Sequence, residues 1–320
     1  MRILEVSRYK NNFVDHQLPF VTEQGESLRA SGCEVEYFLV RGNYVKAVGA
    51  LKAKIREFKP DVVHAHFGLS AITAELQSLV PVVTTFHNGE TLNWHVNLLS
   101  SLFSLRAKHV IYVAQHVRDL CYFKAKNYSI IPCGVPMEEM ELTPKEEARK
   151  KLEWDANKKY ILFGGAFDNL RKNYLLLRDA VSGLDHFDNI EIVEMKGLTR
   201  EQCVLRMNAC DLFALPSHSE GSPQALKEAM AVNCPCLATD IADVKYLFGD
   251  EPGHWILRNP RKTHERWDGD EKSMDEMVAL LKEALAFEGR TNGRKRIIEL
   301  GLSNEQVAKL IIDIYKQIIK

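Results

Sequence analysis

The chain is predicted to be an α/β protein made of two doubly wound parallel-sheet domains. Three observations carry that expectation. Short apolar runs rich in β-branched residues alternate with helical stretches from the first residues onward. The same alternation starts again after a charged stretch near the middle, and 320 residues are enough for two domains that each bury a core.

In the first half, residues 2 to 6, 34 to 40, 61 to 65, 81 to 85, 109 to 113 and 128 to 131 read as strands, with helices in the gaps. Such alternation implies a parallel sheet covered on both faces, with ligands bound outside the carboxyl ends of its strands. From Glu138 to Lys159 the chain is highly charged and poor in large apolar residues, so the domain boundary is expected after residue 142. A second set of strands begins at Tyr160-Ile161-Leu162-Phe163 and continues near 190 to 194, 211 to 215, 235 to 238 and 254 to 257. The last helix, from Asn304, places apolar residues at 307, 310, 311, 314 and 318, a stripe that must pack on something. The expected division is 1–142, 143–303 and a terminal helix 304–320.

With 46% hydrophobic and 27% charged residues the composition is globular, and 42 Lys and Arg against 43 Asp and Glu leave no overall field to recruit nucleic acid or an anionic membrane. The seven cysteines form no C-x-x-C pair and sit mostly in apolar segments, which suits a reducing, cytoplasmic setting. Met1-Arg2 leads directly into the first strand, with no charged-then-apolar signal, and no apolar run reaches the length of a membrane span.

The most informative segment runs from Pro216 to Met230, Pro-Ser-His-Ser-Glu-Gly-Ser-Pro-Gln-Ala-Leu-Lys-Glu-Ala-Met. Leu212-Phe213-Ala214-Leu215 is a buried strand that Pro216 should stop, since proline cannot donate to a sheet ladder. Ser222 is a suitable helix cap and Pro223 a suitable first helical residue, so a helix is expected to start near Pro223. Its first-turn amides, together with that of Gly221, would offer donors at the positive end of the helix dipole, where phosphate oxygens or sugar hydroxyls bind. Pro223, Leu226, Ala229 and Met230 share one face and Glu228 points away from it. Glu228 then lies about 7 to 8 Å along the helix from the turn that holds Glu220, roughly the separation of a sugar from the ribose of its nucleotide. A solvated helix with a capped start has the same spacing.

The surrounding residues resemble the donor-site signature of the retaining glycosyltransferases of family four, which have the two-domain GT-B fold and carry Glu, seven residues, Glu in an EG-P-x-x-x-x-EAMA setting. The resemblance implies two Rossmann-like domains facing across a cleft, a first domain for the acceptor, a second for the nucleotide sugar, and a terminal helix crossing back to the first domain. It implies that Glu220 contacts the transferred sugar and Glu228 the ribose hydroxyls. Residues Gly221, Ser222 and Pro223 would complete that side of the donor site.

Phe163-Gly164-Gly165-Ala166-Phe167-Asp168-Asn169-Leu170-Arg171-Lys172-Asn173 is a glycine-rich turn after a strand, followed by a helix from Tyr174. Gly165 and the cations Arg171 and Lys172 could receive a diphosphate. By the resemblance Lys172 matches the family's phosphate-binding Lys. Ala166, however, stands where the family has an Arg, and Asn173 where it has a Gly; Arg171 is the expected substitute for the missing Arg. Pro81 to Gly89 ends a strand with His87, and a similar family segment puts its His at the donor sugar, so His87 is a further catalytic candidate beside Glu220 and Lys172.

Asp61-Val62-Val63-His64-Ala65-His66 places two histidines on one side of a strand, but no third ligand stands at suitable spacing, so no metal is expected. The segment after the first strand, Ser7 to His16, lacks the Gly-Gly pair of many relatives. Residues 44 to 59 mix an apolar stripe with Lys and Arg, a pattern that fits either a helix packed on the sheet or a weak peripheral membrane contact at the inner face.

The resulting expectation is a retaining, metal-independent hexosyltransferase with no cofactor. It would move a sugar from a nucleotide diphosphate sugar to a hydroxyl of a sugar or lipid-linked saccharide, in polysaccharide or glycolipid biosynthesis, without a nucleic-acid partner. The alternatives are a catalytically silent nucleotide-sugar-binding partner subunit and a GT-B nucleotide-sugar epimerase.

Overall fold

The computed structural model describes residues 1–11, 16–259 and 271–319. Two compact units are present: Met1–Gly134 together with Leu302–Lys320, and Val135–Gly301.

The first unit is a six-stranded parallel sheet of β1 (Arg2–Arg8), β2 (Glu34–Val40), β3 (Val62–His66), β4 (Val82–Phe86), β5 (His109–Tyr112) and β6 (Tyr128–Ile130), in the order β2-β1-β3-β4-β5-β6. Because side chains alternate along a strand, Ile3, Val62 and Val83 face one side and Leu4, Val63 and Val82 the other. The first side is covered by the helix Pro19–Ala30 and by the terminal helix Asn304–Ile319, whose Val307, Ile311, Ile314 and Tyr315 are buried there. Gly134 makes this approach possible, since a Cβ on it would lie 2.8 Å from the Cα of Asn304.

The second side is covered by the helix Val48–Phe58 and the helix Gly68–Gln77. Of the two readings of residues 44 to 59, packing on the sheet is the one observed. Leu51, Ile55 and Phe58, the apolar stripe read between residues 44 and 59, are buried against Leu4, Val6 and Val63. The stripe is spent on the sheet, so this helix has no apolar face to offer a membrane.

The second unit is a five-stranded parallel sheet of β7 (Lys159–Phe163), β8 (Ile190–Glu194), β9 (Leu212–Leu215), β10 (Cys236–Thr239) and β11 (His254–Leu257), in the order β11-β10-β9-β7-β8. Ile161, Phe163, Leu212 and Ala214 pack on the helices Tyr174–Ser182 and Glu271–Ala286. The structural break falls at Gly134 to Val135, ahead of the expected 142. The physical cause is Arg294, whose guanidinium donates to the carbonyls of Met137 (3.1 Å) and Met140 (2.7 Å), and Asn208, which donates to the Glu141 carbonyl at 2.9 Å. These bonds tie residues 137 to 141 to the second unit.

In each sheet the strand order reverses once, at β1/β3 and at β7/β9. Connections leave in opposite directions there, which opens a crevice at the carboxyl ends where ligands bind in such folds.

Candidate active site

The crevice of the second unit is lined by the two segments the sequence singles out. After β7 come Gly164 and Gly165; after β9 come Pro216 to Glu220. Gly164 is needed for packing, because a Cβ would lie 2.6 Å from Cζ of Phe213 on β9. Gly165 is needed for the site, because a Cβ would lie 2.8 Å from Cγ of Lys172. The lysine stem therefore lies over bare backbone, and its Nζ reaches Glu220 Oε1 at 2.8 Å. Both side chains are mostly covered, 17% and 12% exposed.

The turn carrying Lys172 is a short 3-10 helix, Leu170–Lys172, started by Asn169, whose side chain accepts from the Arg171 amide. Asn173 follows with φ of +58°, a left-handed conformation that asparagine tolerates better than most residues apart from glycine. That accounts physically for Asn where the family has Gly. The Arg171 carbonyl accepts from the His218 amide at 2.9 Å, stitching the two loops together. The Arg171 Nε is buried with no hydrogen-bond partner among the described residues.

On the far side, the helix spans Gln224–Ala231, one residue later than expected. Pro223 is the N-cap, extended at ψ of 106°, and makes no side-chain cap. Ser222 does not cap either: its hydroxyl donates to Asp243 Oδ2 at 2.6 Å, a charge-assisted bond that outcompetes an ordinary cap. Glu228 accepts from Arg200 Nη1 at 2.9 Å, and Arg200 also meets Glu139 at 3.3 Å. Burial raises the Glu228 carboxyl above its ordinary value, with Arg200 and Lys227 opposing. Lys227 is wholly buried beside it, which sequence reading missed, since a lysine on an amphipathic helix normally points to water.

His87 lies in the first unit, just past β4, and its surroundings are a second finding that spacing did not reveal. Glu5 on β1 is the register partner of His64 on β3, and His66 and Thr85 are partners one pleat further. All face the side covered by the terminal helix. Glu5 Oε2 lies 2.7 Å from His66 Nε2, and His66 Nδ1 lies 3.1 Å from His87 Nε2. His64 bonds Thr85 Oγ1 at 2.7 Å and the Tyr315 hydroxyl at 2.5 Å. Burial drives His64 down to about 3, so it is neutral. Burial pushes the Glu5 carboxyl up, but the imidazoles of His64 and His66 together outweigh it and leave it below its ordinary value. With Glu5 ionised, His66 Nε2 is placed to donate to it, and the other ring nitrogen, Nδ1, faces His87 Nε2.

Glu5 is thus the third group beside the two histidines, its ligand-type atoms all within 4.8 Å of theirs. The expectation that none accompanies them is corrected, because only strand order brings β1 against β3. Such a set could hold a zinc-type cation, but both imidazoles are already engaged in hydrogen bonds. Past β4 the buried Glu90 accepts from the amides of Gly68 (3.1 Å) and His87 (3.2 Å), which fixes the His87 turn. Burial raises Glu90 to about 7.

Two parallel α/β units with these sheet orders define the GT-B fold. In keeping with it, the chain resembles sucrose-phosphate synthase from Thermosynechococcus elongatus, with TM-score 0.78, 17% identity, and coverage of 99% of this chain and 98% of that one. It also resembles Anabaena HepE in complex with UDP and glucose, with TM-score 0.74, 12% identity, and coverage of 99% and 100%. At these identities the likeness is one of fold. The family model Glycosyltransferase Family 4 matches residues 35–139, and Glycosyl transferases group 1 matches residues 191–266. A putative teichuronic acid biosynthesis glycosyltransferase, TuaC, of Bacillus subtilis (strain 168) is 26% identical, over 61% of this chain and 57% of the relative's length. The two models thus match separate parts of the chain, and both describe glycosyltransferases.

Proposed function

We propose that the chain transfers a sugar from a nucleotide diphosphate sugar to a hydroxyl, with retention of anomeric configuration, in the synthesis of a polysaccharide or glycolipid. The observation that carries this reading is the Lys172–Glu220 pair at the β7/β9 crevice. A buried cation paired to a carboxylate is a pair a donor can divide: Lys172 turns to the diphosphate and Glu220 to the sugar hydroxyls. Arg171 and the first amides of Gln224–Ala231, with Gly221, Ser222 and Pro223 before them, add positive potential where the leaving group gains charge. Glu228 takes the ribose hydroxyls once Arg200 yields its oxygen.

In this reading side-chain cations do the work a metal would do, so no metal is required. Glu220 orients the sugar, and the leaving phosphate assists deprotonation of the acceptor in a same-face displacement. His87, held by His66 and by Glu90, is the catalytic candidate within the first unit. The printed name of the TuaC relative, a teichuronic acid glycosyltransferase, supports a cell-envelope polysaccharide product, and the UDP and glucose of the HepE structure support a nucleotide-sugar donor. All seven cysteines are free thiols, in line with a cytoplasmic site of action.

The test is turnover of a panel of nucleotide sugars by the chain and by Glu220→Gln, with the product anomer read by proton NMR. Turnover lost in the variant, with nucleotide binding retained, supports the reading. No turnover in either, with equal binding, establishes the silent binder, and release of an epimerised sugar establishes the epimerase.

A further inference from the structure

The helix Trp94–Ser104 in the first unit is inside out for a water-exposed helix. At 100° per residue its buried face is Asn97, Ser100, Ser101 and Ser104, and its exposed face is Trp94, Leu98, Leu99 and Leu102, extended by Leu105. Two serines of the buried face bond within the helix. Ser101 Oγ donates to the Asn97 carbonyl at 2.6 Å and Ser104 Oγ to that of Ser101 at 2.8 Å. A Cβ on Gly68 would lie 2.1 Å from Ser100 Cβ, so small residues bring this helix tightly onto the helix Gly68–Gln77.

The exposed face continues onto a second segment. Asn97 Nδ2 donates to the Leu120 carbonyl at 2.9 Å, and the Tyr122 amide donates to Asn97 Oδ1 at 3.2 Å. This sets exposed Leu120, Tyr122 and Phe123 beside the helix; Trp94 and Tyr122 are 58% and 57% exposed. Single exposed leucines are ordinary, but a contiguous apolar face of this extent calls for something to cover it.

Charge identifies the cover. Between Leu92 and Asn127 the cations Arg106, Lys108, Arg118, Lys124 and Lys126 stand against one carboxylate, Asp119. Leucines with tryptophan and tyrosine, bordered by lysine and arginine, match the boundary between acyl chains and anionic headgroups. Arg106 and Lys108 also face the Glu75 carboxylate, but a face meant for another folded protein would carry fewer lysines, which are depleted in protein interfaces. None of the helices among the described residues is long and apolar enough to cross a membrane, so attachment here is peripheral.

We propose that the face formed by Trp94–Ser104 and residues 118–126 docks on an anionic lipid bilayer. It begins seven residues beyond His87 in the chain, so docking brings the carboxyl end of β4 to the lipid surface. The inference does not depend on the transfer reaction, because binding is read without substrate.

The test is flotation of the full chain with phosphatidylcholine vesicles containing phosphatidylglycerol, and with vesicles of phosphatidylcholine alone. Binding to the anionic vesicles is expected, with a blue shift of tryptophan emission. The triple variant Trp94→Ser, Leu99→Ser, Leu102→Ser should bind more than about tenfold more weakly. The charge variant Lys124→Glu, Lys126→Glu should lose the preference for anionic lipid. Circular dichroism checks that both variants keep the wild-type fold, which is expected because every altered side chain is exposed. The inference is overturned if the wild type stays free of both vesicles or if the triple variant binds as well as the wild type. It is also overturned if light scattering shows a dimer that the triple substitution dissolves while vesicle binding is absent.

Discussion

The two units handle buried charge in opposite ways. In the second, Glu220 and Glu228 each hold a cation from a separate loop or helix, Lys172 and Arg200, at 2.8 and 2.9 Å, near the crevice surface. In the first, Glu5, His64 and His66 are sealed on a sheet face under the terminal helix. A pair near the surface can exchange partners, because an arriving phosphate or hydroxyl replaces what is lost. A sealed network cannot, because breaking it leaves a desolvated charge. The first kind of site suits binding and the second suits fixing a neighbour, here His87.

Four measurements would break or sharpen this contrast. The largest effect is expected from His66→Ala, which leaves the Glu5 carboxylate buried without its closest partner: urea unfolding should show a loss of about 3 to 5 kcal/mol. Glu220→Gln, by contrast, should cost clearly less, because the amide oxygen still accepts from Lys172 and the pair keeps some contact with water at the crevice. Equal losses would remove the distinction. Next, Lys172→Met should lower kcat/KM for the nucleotide sugar by about 10² to 10³, with unfolding little changed, since the cation acts where charge develops.

Glu90 tests the sealed side by pH. Its carboxyl ionises near 4.5 when unfolded but only at about 7 when folded, so the native state binds more protons between those values. The Glu90 contribution to stability should therefore be most favourable below pH 4.5, fall as pH rises to about 7 and level off above it, by about 3 kcal/mol. Glu90→Gln should abolish that slope in urea titrations at stepped pH. The smallest effect is expected at Gly165→Ala, where the new Cβ pushes the flexible Lys172 stem aside. Donor affinity should fall by about 1 kcal/mol, read by calorimetry, with stability nearly unchanged.

Much of the architecture could be read in advance, for local reasons. Strands buried on both sides must be continuous apolar runs, so Leu212–Leu215 and Tyr160–Phe163 stand out whatever their neighbours are. The loop from Pro216 to Glu220 and the turn at Gly165 were visible because proline and glycine constrain the backbone directly. The helix start was misplaced by one residue because Ser222 finds Asp243, twenty-one positions on, a better partner than its own helix. Which way a stripe faces was not legible, because amphipathicity gives a stripe but not its direction: Val48–Phe58 turns its stripe inward and Trp94–Ser104 turns its stripe outward.

From its residues alone the chain determined two parallel α/β units, the crevice-lining loops, and Lys172, Glu220 and Glu228 as donor candidates, because propensity, alternation and turn chemistry act over a few neighbouring positions. Tertiary structure alone decided that Glu5 meets His64 and His66, that Lys172 crosses Gly165 to reach Glu220, that Lys227 is buried, and which helix shows its leucines to solvent. Each depends on strand order and helix packing between segments tens of residues apart, and burial of a side chain is a property of those contacts and not of its own stretch of sequence.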